Sequence, residues 1–407
     1  MGRVIAARIC CLDLDTFFVS VERLLDPSLC GKPVVVGAAP GHRGVVTAAS
    51  YEVRALGVRS GMPISEAVRL APDAIYLPTR HGEYSPHARR VRSILERYTP
   101  IVQTASIDEF FLDFHGCEAL YREPADADGD ATIERTIREM REAIQREVGL
   151  PASAGIGASR TIGKIASGVA KPAGVRMVRV GEEAAFLAPL PIRKFPGIGP
   201  VTEKRLRAQG VETLGQLVDR QARPGSLADM VRRQMNVQAS DELGSSRPAF
   251  LEHDPEDVTV GSISNERTFR EDVGDSRSVE QQLAALVERV CWRARRRRIR
   301  ARTVTLKLRY SDFDTITRSR SIAATDVDAV VLDCVLGLYR AARTRSLPIR
   351  LVGVQLTNLE GADMQLRLPF EAARRPPVAG AVDAVRTRYG YDAIRFGLAG
   401  RRSSWLE

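Results

Sequence analysis

The sequence predicts an α+β chain of several domains. Three observations carry this reading. Residues 1–172 alternate strand-like and helix-like segments, residues 173–240 are mainly helical in pattern, and residues 259–358 follow the order β-α-β-β-α-β of a ferredoxin-like unit. The length of 407 residues suits several domains rather than one.

In the first region, strands are expected at 8–14, 33–38, 44–49, 101–106, 110–114 and 153–158, and helices near 16–25, 63–71, 84–97, 131–148 and 160–170. The apolar run Ile9-Cys10-Cys11-Leu12 ends in Asp13-Leu14-Asp15. Two further β-prone runs, Ile101 to Ala105 and Phe110 to Phe114, flank Ser106-Ile107-Asp108-Glu109, which reads as a hairpin with two carboxylates at its tip. Such acids either decorate solvated strand ends or hold something positive, because gathered carboxylates are costly alone. Magnesium suits them: it is hard, prefers oxygen and is commonly held by a few carboxylates plus substrate phosphates. Two such ions can clamp the attacking and leaving oxygens of a phosphoryl transfer.

The helical stretch carries Phe195-Pro196-Gly197-Ile198-Gly199-Pro200. Glycines between two short helices let backbone amides point outward at a helix N-terminus, a ready phosphate site. The other reading is a plain glycine turn. Residues 241–258, acidic around Glu252-His253-Asp254-Pro255-Glu256-Asp257, read as a linker.

In the ferredoxin-like unit a strand at 259–264 precedes a helix opened by Ser278 and Gln281 as a capping box, with Leu283, Leu286, Val287 and Val290 on its buried face. Strands at 303–310 and 315–322, a helix over 326–343 and a strand at 351–357 follow. Along 303–310, Val304, Leu306, Leu308 and Tyr310 alternate with Thr303, Thr305, Lys307 and Arg309, and Arg318 and Arg320 lie on the next strand. One face should be core and the other basic. Arg295 to Arg298, Arg300 and Arg302 add a dense positive run. Residues 258–358 hold 19 Lys and Arg against 11 Asp and Glu, most of the chain's net +10. Such clustering favours a nucleic-acid backbone over a merely solvated face. The final segment, 359–407, contains Gln365-Leu366-Arg367-Leu368-Pro369-Phe370 in polar surroundings. It reads as a peptide for a partner's groove, or else as a strand end packed on its own domain.

Composition narrows the classes further. None of the six cysteines forms a CxxC pair, which argues against zinc. No stretch approaches the ~20 apolar residues of a membrane span. The N-terminus lacks the apolar region of a signal peptide, and Ala6 stands where myristoylation favours Ser or Thr. A soluble, cytoplasmic, monomeric protein without membrane contact is expected.

These features together resemble the Y-family translesion DNA polymerases, on the DNA polymerase IV (DinB-like) branch, from about residue 5 to 370. The matching motifs are Asp13-Leu14-Asp15-Thr16-Phe17-Phe18 with Val21-Glu22; Ser50-Tyr51-Glu52-Val53-Arg54 leading to Gly57-Val58-Arg59-Ser60-Gly61-Met62-Pro63; Ser106-Ile107-Asp108-Glu109; Ala154-Gly155-Ile156-Gly157 with Lys164-Ile165-Ala166-Ser167 and Lys171-Pro172; Pro196-Gly197-Ile198-Gly199; and the clamp-binding form Gln365 to Phe370. The resemblance implies a right hand: palm over 1–16 and 83–172, fingers over 17–82, a helix-hairpin-helix thumb over 173–240, a linker over 241–258, a little finger over 259–358 and a tail over 359–407 with the clamp peptide.

It also implies roles. Asp13, Asp108 and Glu109, with the Leu14 carbonyl, would hold two Mg²⁺ ions, Mn²⁺ being the alternative. Phe17, Tyr51, Arg54 and Lys164 would bind the triphosphate, and Phe18 would be the sugar gate. Gly197, Gly199, Lys307, Arg309, Arg318 and Arg320 would contact primer-template DNA. Gln365, Leu366, Leu368 and Phe370 would dock on a sliding clamp. The implied reaction is templated addition of dNTPs to a primer 3′-hydroxyl, with low fidelity and no proofreading. Three positions depart from the family pattern: Phe110 and Val53 stand where Ala is usual, and Ala48 where Thr is. A catalytically inactive DNA-binding adaptor is the main alternative, but it should have lost site acids. A nucleotidyl cyclase has no use for the glycine hairpin or basic module, and a nuclease would need a further carboxylate cluster.

Overall fold

The computed structural model describes residues 8–219, 223–236, 260–361, 377–395 and 397. The expected linker at 241–258 and the peptide Gln365 to Phe370 lie outside the described residues. The chain divides into two compact units, Met1–Glu256 and Asp257–Glu407. Among the described residues, no helix is long and apolar enough to cross a membrane.

The first unit contains β1 (Ile9–Leu14), β2 (Val34–Gly37), β3 (Val46–Ala49), β4 (Ile75–Pro78), β5 (Val102–Thr104), β6 (Glu109–Asp113), β7 (Ala152–Gly157) and β8 (Val175–Met177). A five-stranded sheet has the order β5-β6-β1-β7-β8, and a smaller one the order β3-β2-β4. β1 is central and antiparallel to both β6 and β7. Side chains alternate across a strand. Cys10, Leu12 and Leu14 therefore share the main core with Phe110, Leu112, Ala154 and Ile156.

That core is closed by the helix Gly129–Val148, which buries Ile133, Ile137, Met140 and Ile144. Asp128 caps the helix by accepting from the Ala131 amide at 2.8 Å. Gly149 ends it at φ +80, where a side chain would be strained and would also meet Leu24. On the opposite sheet face the helix Arg160–Ala170 lies very close to β7. A Cβ on Gly155 would fall 2.0 Å from the Ser167 amide nitrogen, so only glycine permits this approach.

Strands β4 and β8 and the short helices Tyr51–Ala55 and Glu118–Tyr121 were not expected. At three to five residues each, they show too few periods to be read from pattern. Residues 183–235 are helical as expected, around Ile192, Phe195, Ile198, Leu206 and Leu214.

The second unit has β9 (Ser262–Val273), β10 (Ile299–Tyr310), β11 (Thr315–Thr325) and β12 (Ile349–Gly361), in the order β11-β10-β12-β9. With the helices Ser276–Arg296 and Asp328–Ala342 it has the β-α-β-β-α-β order expected, with the last strand, β12, set between the first two. Val304, Leu306, Leu308 and Tyr310 are buried, as are Leu283, Leu286, Val287 and Val290.

Three details differ from the sequence reading. β9 runs twelve residues, because its polar alternation concealed a strand with one open face. The capping box at Ser278 and Gln281 does not form. Asp275 reaches the first free amides instead, accepting from Arg277 N at 3.2 Å and Ser278 N at 2.8 Å. The segment past residue 370 is no bare tail either. The helix Pro377–Tyr389 packs on Ser276–Arg296 through a buried Arg386–Glu288 pair at 2.7 Å and through Arg295, which bonds both Asp383 and Asp328 at 2.6 Å. Tyr391 adds a ring contact to Trp292 at 5.0 Å. Arg295 therefore drops out of the positive run: burial works against its charge, and Asp383 and Asp328 more than offset that.

Candidate active site

Strand register assembles the acids. Asp13 on β1 lies directly opposite Glu109 on β6. The Leu14 amide donates to the Asp108 carbonyl at 2.9 Å. The hairpin is closed by the Ala105 and Ser106 amides donating to the Glu109 carbonyl at 3.0 and 3.2 Å. Asp13, Leu14, Asp108 and Glu109, distant in sequence, thus share one end of the central sheet.

Two lysines neutralise part of this charge. Lys171 bonds Asp13, and Lys164 reaches Glu109 from the helix Arg160–Ala170. Burial pushes the Asp13 carboxyl up to about 6, Lys171 pulls it down, and Asp108 and Glu109 push it up again. Among the described residues, no three His, Cys, Asp or Glu side chains are yet set around one point as metal ligands. The donor set is nevertheless all oxygen and strongly anionic, which suits a hard divalent cation. A cavity of about 120 Å³ opens here, lined by Asp13, Asp108, Lys171, Phe17, Phe18 and Arg54 among others.

Asp15 does different work from Asp13. It is 1% exposed and accepts from the Ser153 hydroxyl at 2.8 Å, the Ala173 amide at 2.7 Å and the Tyr51 hydroxyl at 3.2 Å. It ties β7 and the segment after Lys171 to the end of β1.

The expected triphosphate residues are only partly gathered. Arg54 lines the cavity, donates from Nε to the Ala49 carbonyl at 2.9 Å and stacks 5.3 Å from the Tyr51 ring centroid. The Tyr51 hydroxyl is committed to Asp15, and burial followed by that carboxylate pushes its pKa well up. Lys164 sits on Glu109. Phe18 lines the cavity with its ring stacked on Tyr84 at 4.2 Å and 18°, which holds it in one orientation. Lys171, of the Lys171-Pro172 motif, joins the site through Asp13 without having been expected there. One lysine beside a proline carries no positional signal until folding brings it to Asp13.

The departures resolve by face. Phe110 pairs in register with Leu12 and is buried in the main core, on the side away from the carboxylates, so its bulk does not crowd them. Val53 packs into the core of the smaller sheet. Ala48 does line the cavity.

At the glycine turn, Gly197 has φ +92, and Gly199 precedes Pro200 at the start of the helix Pro200–Arg207. A Cβ on Gly199 would meet nothing within 4 Å, so this surface is open to an approaching group.

In the second unit, Lys307 and Arg309 stand on the sheet face away from the helices. Lys307 reaches across Gly353 to Glu266 at 2.7 Å, a crossing the missing glycine side chain permits. Arg309 donates to the Thr315 hydroxyl at 2.8 Å. Arg318 and Arg320 do not share this face. They lie opposite Leu306 and Val304, and directly opposed residues project to the same side. Both therefore flank the helical side at the β11 edge. A register is set by pairing and cannot be read from one strand's alternation.

The chain is similar to known proteins over most of its length. Residues 12–168 match the impB/mucB/samB family, residues 260–368 its C-terminal domain, and residues 180–211 its HHH motif. A DNA polymerase IV from Dehalococcoides mccartyi is 34% identical, over 96% of this chain and 97% of that protein. The fold resembles a chimeric Y-family DNA polymerase, with TM-score 0.68 and 24% identity over 87% of this chain and 99% of that one. It also resembles the insertion ternary complex of Dbh DNA polymerase, with TM-score 0.57 and 23% identity over 87% and 99%. Matched along nearly its whole length by a DNA polymerase IV and by the domains of one family, the chain belongs to the Y-family of translesion DNA polymerases, on the DNA polymerase IV branch, and is a DNA-directed DNA polymerase.

Proposed function

We propose that the chain extends a primer on a template by two-metal phosphoryl transfer at the end of β1 and β6. The observation that carries this is the register of Asp13 against Glu109, with Asp108 beside Leu14, at the mouth of a cavity. Two Mg²⁺ ions, or Mn²⁺, would supply a more acidic primer hydroxyl and a stabilised leaving pyrophosphate. Asp13, Asp108, Glu109 and the Leu14 carbonyl would hold them, while Lys164 and Lys171 give up their present carboxylates. Lys164 then becomes available to phosphate together with Arg54, the Tyr51 hydroxyl and the Phe17 amide. Arg supplies a planar fork and Lys a point charge, and both suit phosphate oxygens.

In this reading residues 1–16 and 83–172 form the palm, 17–82 the fingers, 173–240 the thumb, 241–258 a linker and 259–358 the little finger. Gly197 and Gly199 would present amides to the DNA backbone, and in the second unit Lys307 and Arg309 would do so from the open sheet face, which Arg318 and Arg320 do not share. Residues 359–407 carry the clamp peptide. Low fidelity without proofreading belongs to this reading. The protein would act as a monomer in the cytoplasm.

The direct test is extension of a primed template with dNTPs and Mg²⁺, with and without a chelator. Templated extension that stops on chelation supports the reading. Tight primer-template binding without extension in either metal supports an adaptor instead.

Phe18 is the expected sugar gate, its ring under the deoxyribose and in the way of a 2′-hydroxyl. Phe18→Leu should raise ATP incorporation relative to dATP by about tenfold or more, since a lost steric clash of ~1.4 kcal/mol is already tenfold. Equal discrimination in wild type and variant would remove Phe18 from this role.

Changing Lys307 and Arg309 together to Gln should weaken primer-template binding and flatten its salt dependence by about two units of slope. An unchanged slope would mean that this sheet face does not meet DNA.

Deleting 364–370 should lower processivity on a clamp-loaded template and leave single-nucleotide insertion unchanged. Equal loss of both would make the segment structural.

A further inference from the structure

We infer that Glu22 is a positioning residue for the sugar gate: through Tyr84 it fixes the plane of the Phe18 ring and so sharpens selection of deoxyribonucleotides over ribonucleotides. The inference rests on the reading of Phe18 as the gate and adds the residues that hold it.

Phe18 and Glu22 lie four residues apart on the helix Phe17–Leu25, so they share one face and are ~6 Å apart along its axis. Tyr84, fully buried on the helix His81–Leu95, spans the two. Its ring stacks on Phe18 at 4.2 Å and 18°, and its hydroxyl donates to Glu22 Oε1 at 2.7 Å. The same hydroxyl accepts from the Arg80 amide at 3.1 Å. Held at both ends on one helix face, the Tyr84 ring cannot slide or tilt without breaking its bond to Glu22.

Glu22 is itself firmly placed. It is 1% exposed and accepts from Arg80 Nε at 3.0 Å, while its second oxygen takes another bond from the same guanidinium. A forked arginine and a phenol thus satisfy a carboxylate that would otherwise be costly to bury. Burial pushes the Tyr84 hydroxyl up to about 12, against the Arg80 amide and with the Glu22 carboxylate, so it remains a proton donor.

Around Phe18, Phe17 lies 5.5 Å away at 46°, and His81 meets the ring edge-on at 5.8 Å and 87°. Only the stack on Tyr84 sets the plane of the ring that lines the cavity. Apolar packing alone would support that ring without the desolvation cost of a buried ion pair. The pair and the hydroxyl add direction, which a steric gate needs, since a misplacement of ~1 Å can change rates by orders of magnitude.

The test is the ratio of ATP to dATP incorporation efficiency in primer extension, with thermal melting beside it. Glu22→Ala should raise the ratio about threefold or more, half on a logarithmic scale of the ~tenfold expected of Phe18→Leu. Tyr84→Phe keeps the ring and loses the hydroxyl. It should raise the ratio as much, and the double variant no further than either alone. Because Tyr84→Phe leaves the Glu22–Arg80 pair in place, it carries the test should Glu22→Ala not fold. Glu22→Gln, which keeps an acceptor oxygen for Tyr84, should stay near wild type. Lower melting with lower efficiency on both nucleotides and an unchanged ratio would overturn the inference and leave Glu22 structural. A ratio that rises in Glu22→Ala but not in Tyr84→Phe would overturn the route through Tyr84. A wild-type ratio in Phe18→Leu would instead defeat the gate reading and this inference with it.

Discussion

Asp108→Ala is expected to slow templated primer extension by about 10³-fold or more while leaving thermal melting unchanged. Several kcal/mol of transition-state stabilisation pass through the charges at this sheet end, and each ~1.4 kcal/mol is a factor of ten. Asp108 sits in the turn before β6, its carboxylate bonded to its neighbour Ser106, so the fold does not depend on its carboxylate.

Asp15→Ala should behave in the opposite way. It removes a fully buried acceptor from Ser153, Ala173 and Tyr51 at once. Buried donors left without partners cost ~1–3 kcal/mol each, so the first unit should lose about 3 kcal/mol or more. Extension and melting measured side by side on the two variants decide the matter. If Asp108→Ala extends primers like wild type, the catalytic assignment fails. If Asp15→Ala melts like wild type, the structural one does.

Arg386→Ala should destabilise the second unit by about 3–5 kcal/mol. Arg386 and Glu288 are 0% and 5% exposed and 2.7 Å apart, so truncating the arginine takes a charge partner from a buried carboxylate. The helix Pro377–Tyr389 should then lose its hold on Ser276–Arg296, visible as faster amide exchange in both. Replacing the pair together, Arg386→Met with Glu288→Leu, should recover most of the lost stability, because a well-packed apolar pair avoids the desolvation cost of two charges. Wild-type melting of Arg386→Ala would show that this helix is not held through the pair.

These three predictions mark how legibility varies along the chain. Strand periodicity placed β1, β6, β7 and β10 within about two residues in most cases, because each has one apolar face strong enough to show its period. The hairpin at Ser106–Glu109 was visible because two apolar runs bracket a polar tip. β9 was undervalued since its open face is polar, and β4 and β8 were missed as short edge strands. The helix after residue 370 carried little apolar signal. It is held chiefly by ion pairs to residues far away in sequence, and an arginine's partner cannot be read from composition.

Sequence by itself determined the residue types of the site: acids at the ends of two apolar strands, a glycine turn before a helix, and a basic module with one buried face. Local pattern suffices there, since period and turn chemistry act over a few residues. Tertiary structure decided which of these side chains meet. Register set Asp13 against Glu109 and turned Phe110 into the core; it also moved Arg318 and Arg320 off the face of Lys307. Burial separated Asp13 from Asp15, though the two are spaced for the same face, because β1 ends at Leu14 between them and the chain turns away at Thr16, with φ +45. Those outcomes depend on pairing between distant segments, where a one-residue slip would exchange every face.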